Sequence, residues 1–436
     1  MKILILSQYW APENGVPQRR WAWLSGLLEE HGHQVTVIAP PPHYDRKISL
    51  SSWLKKLVLD GLNHEEVGSS GELILRSPFL PAGKSLTARA LNQAFVGFGV
   101  LTRVVCRTGS LKGYRPDLVI GTVPAIPISL VVWFVGKFYR RPYIVDLRDA
   151  WPDLLEQSDS WNSGMGKPSL RQRLLSRGPL QLVSWTTKHA MNHSLRNARA
   201  IIATSERLAQ NLRDRPEIRH STKASEIVTI RNVFPPQTEI VPKQVSAIAV
   251  NSLRILYAGT IGRAQNLGNA LEAVRIAKSS GLDIQIRIVG SGAEKQELRK
   301  LSDVLGDAVS FEPSRPADEL ESYYAWADSA MVHLSDWEPL ERTVPSKVYE
   351  LLTTGIHISA VVRGETAKLI TSLNAGHVVE PNDPKALAAL WMELANNRAQ
   401  LTTSNEGREW VLNQRGVVVP ETLDRLIETI QGEQDG

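Results

Sequence analysis

Short apolar runs rich in β-branched residues recur along the chain, set too far apart for hairpins. The first series is KILILSQ (Lys2–Gln8), QVTVIAP (Gln34–Pro40), GELILRS (Gly71–Ser77), DLVIGT (Asp117–Thr122), YIVDLR (Tyr143–Arg148), AIIATS (Ala200–Ser205) and IVTIRN (Ile227–Asn232). These runs are mostly continuous rather than alternating, which predicts strands buried on both faces. Most of the stretches between them have helical spacing and supply the crossovers of a parallel sheet. Periodicity lapses over Pro235–Ser252 and resumes with LRILYAG (Leu253–Gly259), IQIRIVG (Ile284–Gly290), AVSFEP (Ala308–Pro313), SAMVHLS (Ser329–Ser335), HISAVV (His357–Val362) and GHVVEP (Gly376–Pro381). The pattern predicts an α/β protein of two Rossmann-like, doubly wound parallel-sheet domains. They are expected over residues 1–235 and 253–415, joined by a linker at 236–252 and followed by a terminal segment at 416–436. Ligands of such sheets bind outside the carboxyl ends of the strands, so two facing sheets would hold a ligand in the cleft between them.

Three further segments have a legible pattern. AIPISLVVWFVGKFYRR is the most apolar internal run, shorter than the roughly 20 residues that span a bilayer, and predicts a buried helix. PETLDRLIETIQG (Pro420–Gly432) places Leu423, Leu426, Ile427 and Ile430 on one helical face, and predicts a helix that packs back onto the first domain. SSWLKKLVLDGL groups Trp53, Leu54, Leu57, Val58 and Leu62 near one face with Lys55 and Lys56 at its edge. That stripe fits a core helix or one lying on a membrane.

Composition narrows the setting. The 436 residues are 42% hydrophobic and 22% charged, as in ordinary globular chains. Cys106 is the one cysteine, which excludes an intramolecular disulfide and agrees with a cytoplasmic location. The opening run MKILILSQYW is too short for a secretory signal and reads as a first strand. The net charge of +5 divides unevenly: residues 1–235 carry 31 lysines and arginines against 18 aspartates and glutamates, and residues 236–436 carry 19 against 27. The first half is therefore expected to favour anionic surfaces, including the inner face of a membrane. Nucleic acid is not an expected partner, because the basic half has no aromatic platform or binding motif.

Candidate chemistry gathers at strand ends. Gly15 lies in the loop that opens the first helix, and Gly259, Gly262, Gly290 and Gly292 follow the first two strands of the second domain. There the backbone must turn sharply or pass close to something. In TVPSKVYELLTTG, Ser346 is placed to cap a helix, Gly355 to stop it, and Lys347 to stand beside its amide groups. Such a helix start accepts an anion such as phosphate, and the loops and helix together favour a nucleotide diphosphate. His189 and His193 are four apart with no third ligand evident, so no metal site is expected.

At this level the chain resembles a known family. YAGTIGRAQNL, IVGSGAEKQEL, VSFEPSRPADELESYYAWADSAMVHLS, PSKVYELLTTG and NAGHVVEPNDPKALA, in that order, resemble the carboxyl-terminal domain of the retaining glycosyltransferase family four, of GT-B fold. QYWAPENG, YRPDLVIGTVPAIP, DLRDAWPD and ATSERL resemble its polysaccharide and amino-sugar branch. The resemblance implies a nucleoside-diphosphate sugar, with UDP first among nucleotides, held mainly by the second domain. It also implies a glycan or lipid-linked acceptor on the first domain, transfer with retention, and no metal or other cofactor. Ser346 and Lys347 then meet phosphate, and Glu350 accepts from the ribose. Where the family commonly has Arg and Lys after the first strand of the second domain, this chain has Thr260 and Gln265, with Arg263 nearby. Arg342 stands where the family has its first Glu, and Glu338 or Glu341 could replace it at the donor sugar. Arg148 replaces the family's His, which leaves Arg148 and Asp149 as candidates for the catalytic cleft, or for an ion pair or helix cap. Two other classes share this fold: a non-catalytic scaffold and a sugar-nucleotide 2-epimerase.

Overall fold

The computed structural model describes residues 1–13, 15–42, 52, 64–80, 86–123, 126–149, 179–219, 225–236, 251–316 and 319–435. The sequence segments around Trp53–Leu62 and most of 236–252 lie outside the described residues. The chain divides into two compact units, Met1–Phe234 with Val419–Gly436, and Pro235–Val418.

The first unit is built on an eight-stranded sheet of order β3-β4-β2-β1-β5-β6-β7-β8. The strands are β1 (Lys2–Leu6), β2 (Gln34–Ala39), β3 (Glu65–Val67), β4 (Leu73–Arg76), β5 (Leu118–Val123), β6 (Tyr143–Leu147), β7 (Ala200–Ala203) and β8 (Glu226–Thr229). All neighbours are parallel except β3 and β4. Strands β1, β2, β5, β6 and β7 are buried over nearly every residue, as their continuous apolar runs predict. The helix Ile126–Tyr139 buries Ile128, Val131, Val132 and Val135 against this sheet, in agreement with the sequence reading of its apolar run. Among the described residues no helix is long and apolar enough to cross a membrane.

β3 is the strand that periodicity misses. Its three residues are Glu65, Glu66 and Val67, a composition of low strand propensity, and charges rather than burial hold this edge. Glu66 pairs with Arg76, and Glu65 accepts from the backbone amide of Ser110 at 2.8 Å and lies 3.6 Å from buried Arg103.

The second unit repeats the theme with six parallel strands in the order β11-β10-β9-β12-β13-β14. They are β9 (Ser252–Ala258), β10 (Asp283–Val289), β11 (Val309–Glu312), β12 (Ser329–His333), β13 (His357–Val361) and β14 (Gly376–Val379). In each sheet the winding reverses, between β1 and β5 and between β9 and β12, and each reversal opens a crevice at the carboxyl ends of the strands.

The terminal helix Val419–Asp435 belongs to the first unit. Leu423, Leu426, Ile427 and Ile430 are buried to 1% exposure or less. Its far end is tied by Glu433 to Arg199 and by Gln434 Nε2 donating to the Asp117 carbonyl at 3.1 Å.

Candidate functional site

In the second unit the helix Ser346–Thr354 lies between β12 and β13 in chain order. Pro345, with φ −57° and ψ 133°, occupies the capping position, and its carbonyl accepts from the Val348 amide at 2.9 Å. Ser346 is thus the first helical residue and its side chain caps nothing, which corrects the sequence expectation. The ψ of Pro345, which its ring leaves free, is extended and makes it the last residue before the helix, so the serine falls one position late. Gly355 ends the helix in the left-handed region at φ 66°, as the sequence indicates. Val348, Tyr349, Leu351 and Leu352 turn inward, which leaves Lys347 and Glu350 on the partly exposed side.

Those two side chains meet each other and a third group. Lys347 Nζ donates to Glu350 Oε1 and to Tyr324 Oη, both at 3.0 Å, and Tyr324 Oη donates to the same carboxylate oxygen at 2.8 Å. Tyr324 comes from the helix Leu320–Trp326 and is buried. Burial, with Glu350 beside it, raises its hydroxyl well above the ordinary value, so it remains a donor. Glu350 Oε2 has no hydrogen-bond partner among the described residues. One carboxylate oxygen is thus held by the protein and the other can accept from a ligand. Tyr324→Phe should keep the ion pair and remove both hydroxyl bonds. It is expected to weaken binding at this site by about two- to tenfold, for a net loss of roughly 0.5–1.5 kcal/mol, read by calorimetric titration with UDP. Unchanged affinity would assign Tyr324 to packing alone.

The glycine loops pack on one another. A Cβ on Gly290 would stand 1.9 Å from the Gly259 carbonyl oxygen, and one on Gly292 would stand 1.9 Å from that of Ile261. The Ile261 amide donates to the Ser291 carbonyl at 3.0 Å, which sets this close approach. Gly290 and Gly292 are therefore explained by backbone passing backbone. Gly262 is extended at φ −135° and a Cβ there meets nothing nearer than 3.2 Å. Thr260 is exposed, and its carbonyl accepts from Tyr257 Oη at 2.6 Å. Arg263 and Gln265 bound a single 3-10 turn, Arg263 being exposed and electrostatically coupled to Glu294. The Ser335 amide donates to the Ala264 carbonyl at 2.8 Å and joins this turn to the segment after β12. His333, at the end of β12, bonds Asn269 at 3.0 Å and is kept neutral by burial, which pushes it down to about 4.

Glu338 and Glu341 part company. Glu338 pairs with Arg342 across one turn and is 57% exposed. Glu341 lines a small, open pocket with Asp336, Trp337, Leu340 and Arg363. Gly364 flanks it at φ 71°, where a Cβ would fall 2.1 Å from the Glu341 carbonyl.

In the first unit Gly15 takes the capping position of the helix Val16–Glu30 with ordinary extended backbone. A Cβ there would meet only the flexible Gln18 amide, at 2.5 Å. Arg148 lies past the end of β6, and its guanidinium is lowered by burial while Asp149 and Asp146 oppose that shift. Asp149 is exposed beside it. Beneath them lies a network that sequence reasoning missed. Asp146 Oδ1 accepts from Arg20 at 2.9 Å and Oδ2 from Trp21 Nε1 at 2.7 Å. The same Arg20 donates to the Ile230 carbonyl at 2.9 Å and to Asn232 Oδ1 at 3.1 Å. Both members of the ion pair are 0% exposed.

Two doubly wound parallel sheets, one carrying glycine loops and a Lys–Tyr–Glu cluster, are the architecture of the GT-B glycosyltransferases. Residues 15–232 match the family described as glycosyl transferase 4-like domain, and residues 241–410 match glycosyl transferases group 1. The chain belongs to this family, glycosyltransferase family four. It is 24% identical over 445 aligned residues to a putative colanic acid biosynthesis glycosyl transferase, WcaI, of Escherichia coli, with 99% of this chain and all of that one covered. Its fold is shared with sucrose-phosphate synthase from Thermosynechococcus elongatus at TM-score 0.69 and 16% identity, over 99% of this chain and 100% of that one. It is shared also with Anabaena HepE in complex with UDP, at TM-score 0.58 and 16% identity, over 99% and 100%.

Proposed function

We propose that this enzyme moves a hexosyl or amino-sugar group from a UDP-sugar to a glycan or lipid-linked acceptor, with retention of anomeric configuration, in the biosynthesis of a cell-surface polysaccharide. The observation that carries this reading is the Lys347–Tyr324–Glu350 cluster at a helix start, with one carboxylate oxygen of Glu350 unengaged among the described residues. When the bond from the sugar to the diphosphate breaks, its electrons stay on the phosphate oxygen. Lys347 and the amides of Ser346 and Lys347 balance that charge, and they are in position before the reaction. Glu350 Oε2 accepts from the ribose hydroxyls. Gly262, Arg263, Thr260 and Gln265 flank the nucleotide, and Gly290 holds the second loop against them. Glu341, which lines a pocket with Asp336 and Arg363, and Glu338, which pairs with Arg342, are the candidates for the donor sugar. The first unit takes the acceptor, with Arg148 and Asp149 at its strand ends and Gly15 at its helix start. No metal takes part, and the protein works in the cytoplasm against an anionic membrane. Printed names support the reading: HepE was solved with UDP and with UDP-glucose, and WcaI is named for colanic acid biosynthesis.

A thermal-shift panel of UDP, GDP, ADP and their sugars, each with and without EDTA, tests this. UDP and one UDP-sugar are expected to raise the melting temperature, by about 2.7 kcal/mol of stabilisation at a hundred times Kd, with no effect of EDTA on the shift or on turnover. No shift with any nucleotide would point to a scaffold, and loss with EDTA would overturn the metal-free reading.

A further inference from the structure

We propose that the outward face of the helix Leu86–Cys106, with Phe134 and Trp185 on the neighbouring helices, is the surface on which the first unit seats on an anionic lipid bilayer. The inference deepens the membrane association proposed above and rests on it for the class of partner. The face itself is read from the structure. Leu91, Phe98 and Val105 recur at a spacing of seven and are 65%, 60% and 49% exposed. Phe95 lies between the first two, its ring 6.1 Å from that of Phe98. On the opposite side Val96, Val100 and Val104 are buried. A helix at a water-facing surface ordinarily turns charge outward. Between Leu91 and Cys106 the one charged residue here is Arg103, and it is buried.

The apolar strip continues onto its neighbours. Gly97 lets the helix Ile126–Tyr139 come close, since a Cβ there would stand 3.2 Å from that of Pro127. This second helix exposes Phe134 at 40%. Trp133 meets His193 of the helix Pro179–Asn197 edge-on at 5.2 Å, and that third helix exposes Trp185 at 57%. Cations border the strip: Lys137 and Arg140 are exposed, and the Arg107 guanidinium lies 5.5 Å over the Phe138 ring. Cations outnumber acids along this stretch of chain: residues 73–205 hold 18 lysines and arginines against six aspartates and glutamates.

Charge complementarity selects the occupant. A second copy docking face to face would bring these like charges together, whereas a bilayer bearing phosphate headgroups offers the opposite sign beside an apolar interior. Phe and Trp side chains suit that boundary, and Lys and Arg reach from it to the headgroups. Phospholipid is therefore matched on both counts.

The test is co-sedimentation of the full chain with phosphatidylcholine vesicles, with and without phosphatidylglycerol, at low and high salt. The parent is expected to bind the anionic vesicles and to be partly released by salt. Phe98→Glu is expected to lower that affinity at least about tenfold, since a buried aromatic becomes a charge. Lys137→Glu is expected to lower it about fivefold or more on anionic vesicles only. Neither side chain is in the core, and calorimetric UDP affinity of the same samples reads the donor site separately. Unaltered vesicle binding in both variants would overturn the surface assignment, whatever the donor result. A dimer by light scattering that Phe98→Glu dissolves would overturn it in favour of a second copy.

Discussion

Lys347→Ala is expected to weaken UDP binding by about 1.5–3 kcal/mol, the range for a hydrogen bond to a charged group. It is also expected to slow transfer by a larger factor than it weakens binding, about a hundred- to a thousandfold, as when one preorganised donor to a developing oxyanion is removed. The two losses differ because phosphate charge grows as the sugar leaves, so the ammonium binds the transition state more tightly than the ground state. Glu350→Gln keeps the shape and removes the charge, and is expected to cost about 1.5–3 kcal/mol of affinity for UDP itself. Folding is a small part of either effect. The Lys347–Glu350 pair spans three residues on one helix with each side chain about a quarter exposed, a geometry worth a few tenths of a kcal/mol. Calorimetry with UDP and steady-state turnover, with melting temperature as control, check both variants. Affinity equal to the parent's in both would remove these residues from the donor site and leave the fold untouched.

The largest effect on stability is expected at Asp146. Asp146→Asn retains the side-chain volume and leaves Arg20, at 0% exposure, facing a neutral amide. Removing one partner of a buried pair leaves an uncompensated charge and costs about 3–5 kcal/mol. In a unit of this size that corresponds to a melting shift of roughly 6–20 °C. Arg20 bridges the helix Val16–Glu30, β6 and the carbonyl of Ile230, so the loss should fall on the transition of the first unit. Glu206→Gln is the contrast. Its pair with Arg213 is largely exposed, at 57% and 39%, and should contribute less than about 1 kcal/mol. Calorimetric scans of the two variants against the parent decide the matter, and equal melting temperatures would show that Arg20 is satisfied without Asp146.

Much of this architecture was legible in the order of residues. Runs such as QVTVIA and YIVDL are apolar on successive positions, and a strand buried on both faces is the arrangement that removes all of those side chains from water. Gly355 announced the end of its helix because a left-handed residue without Cβ strain is needed there, and the family motifs placed Lys347 and Glu350 on one turn. Each of these is a property of a segment, set by backbone sterics and by which side of that segment is apolar.

The partners were decided elsewhere. Glu350 and Lys347 could be read as ligand-facing, but the hydroxyl that joins them belongs to Tyr324, more than twenty residues earlier, and arrives by way of β12 and the turn before Ser346. Asp146 sits in the strand just ahead of Arg148 and Asp149, which drew attention for their motif. Its partner Arg20 lies 126 residues away and meets it because β1 and β6 flank β5. Pro345 took the cap with an extended ψ and left Ser346 one position inside the helix. Gly290 and Gly292 announced a close approach, while the neighbour, the backbone of Gly259 and Ile261, follows from β9 and β10 lying side by side. Local periodicity is set by near neighbours along the chain, so sequence alone determined the elements and their order. Which polar groups lose water together depends on the crossovers that bring distant strands into one sheet, and only the tertiary structure decided those pairings.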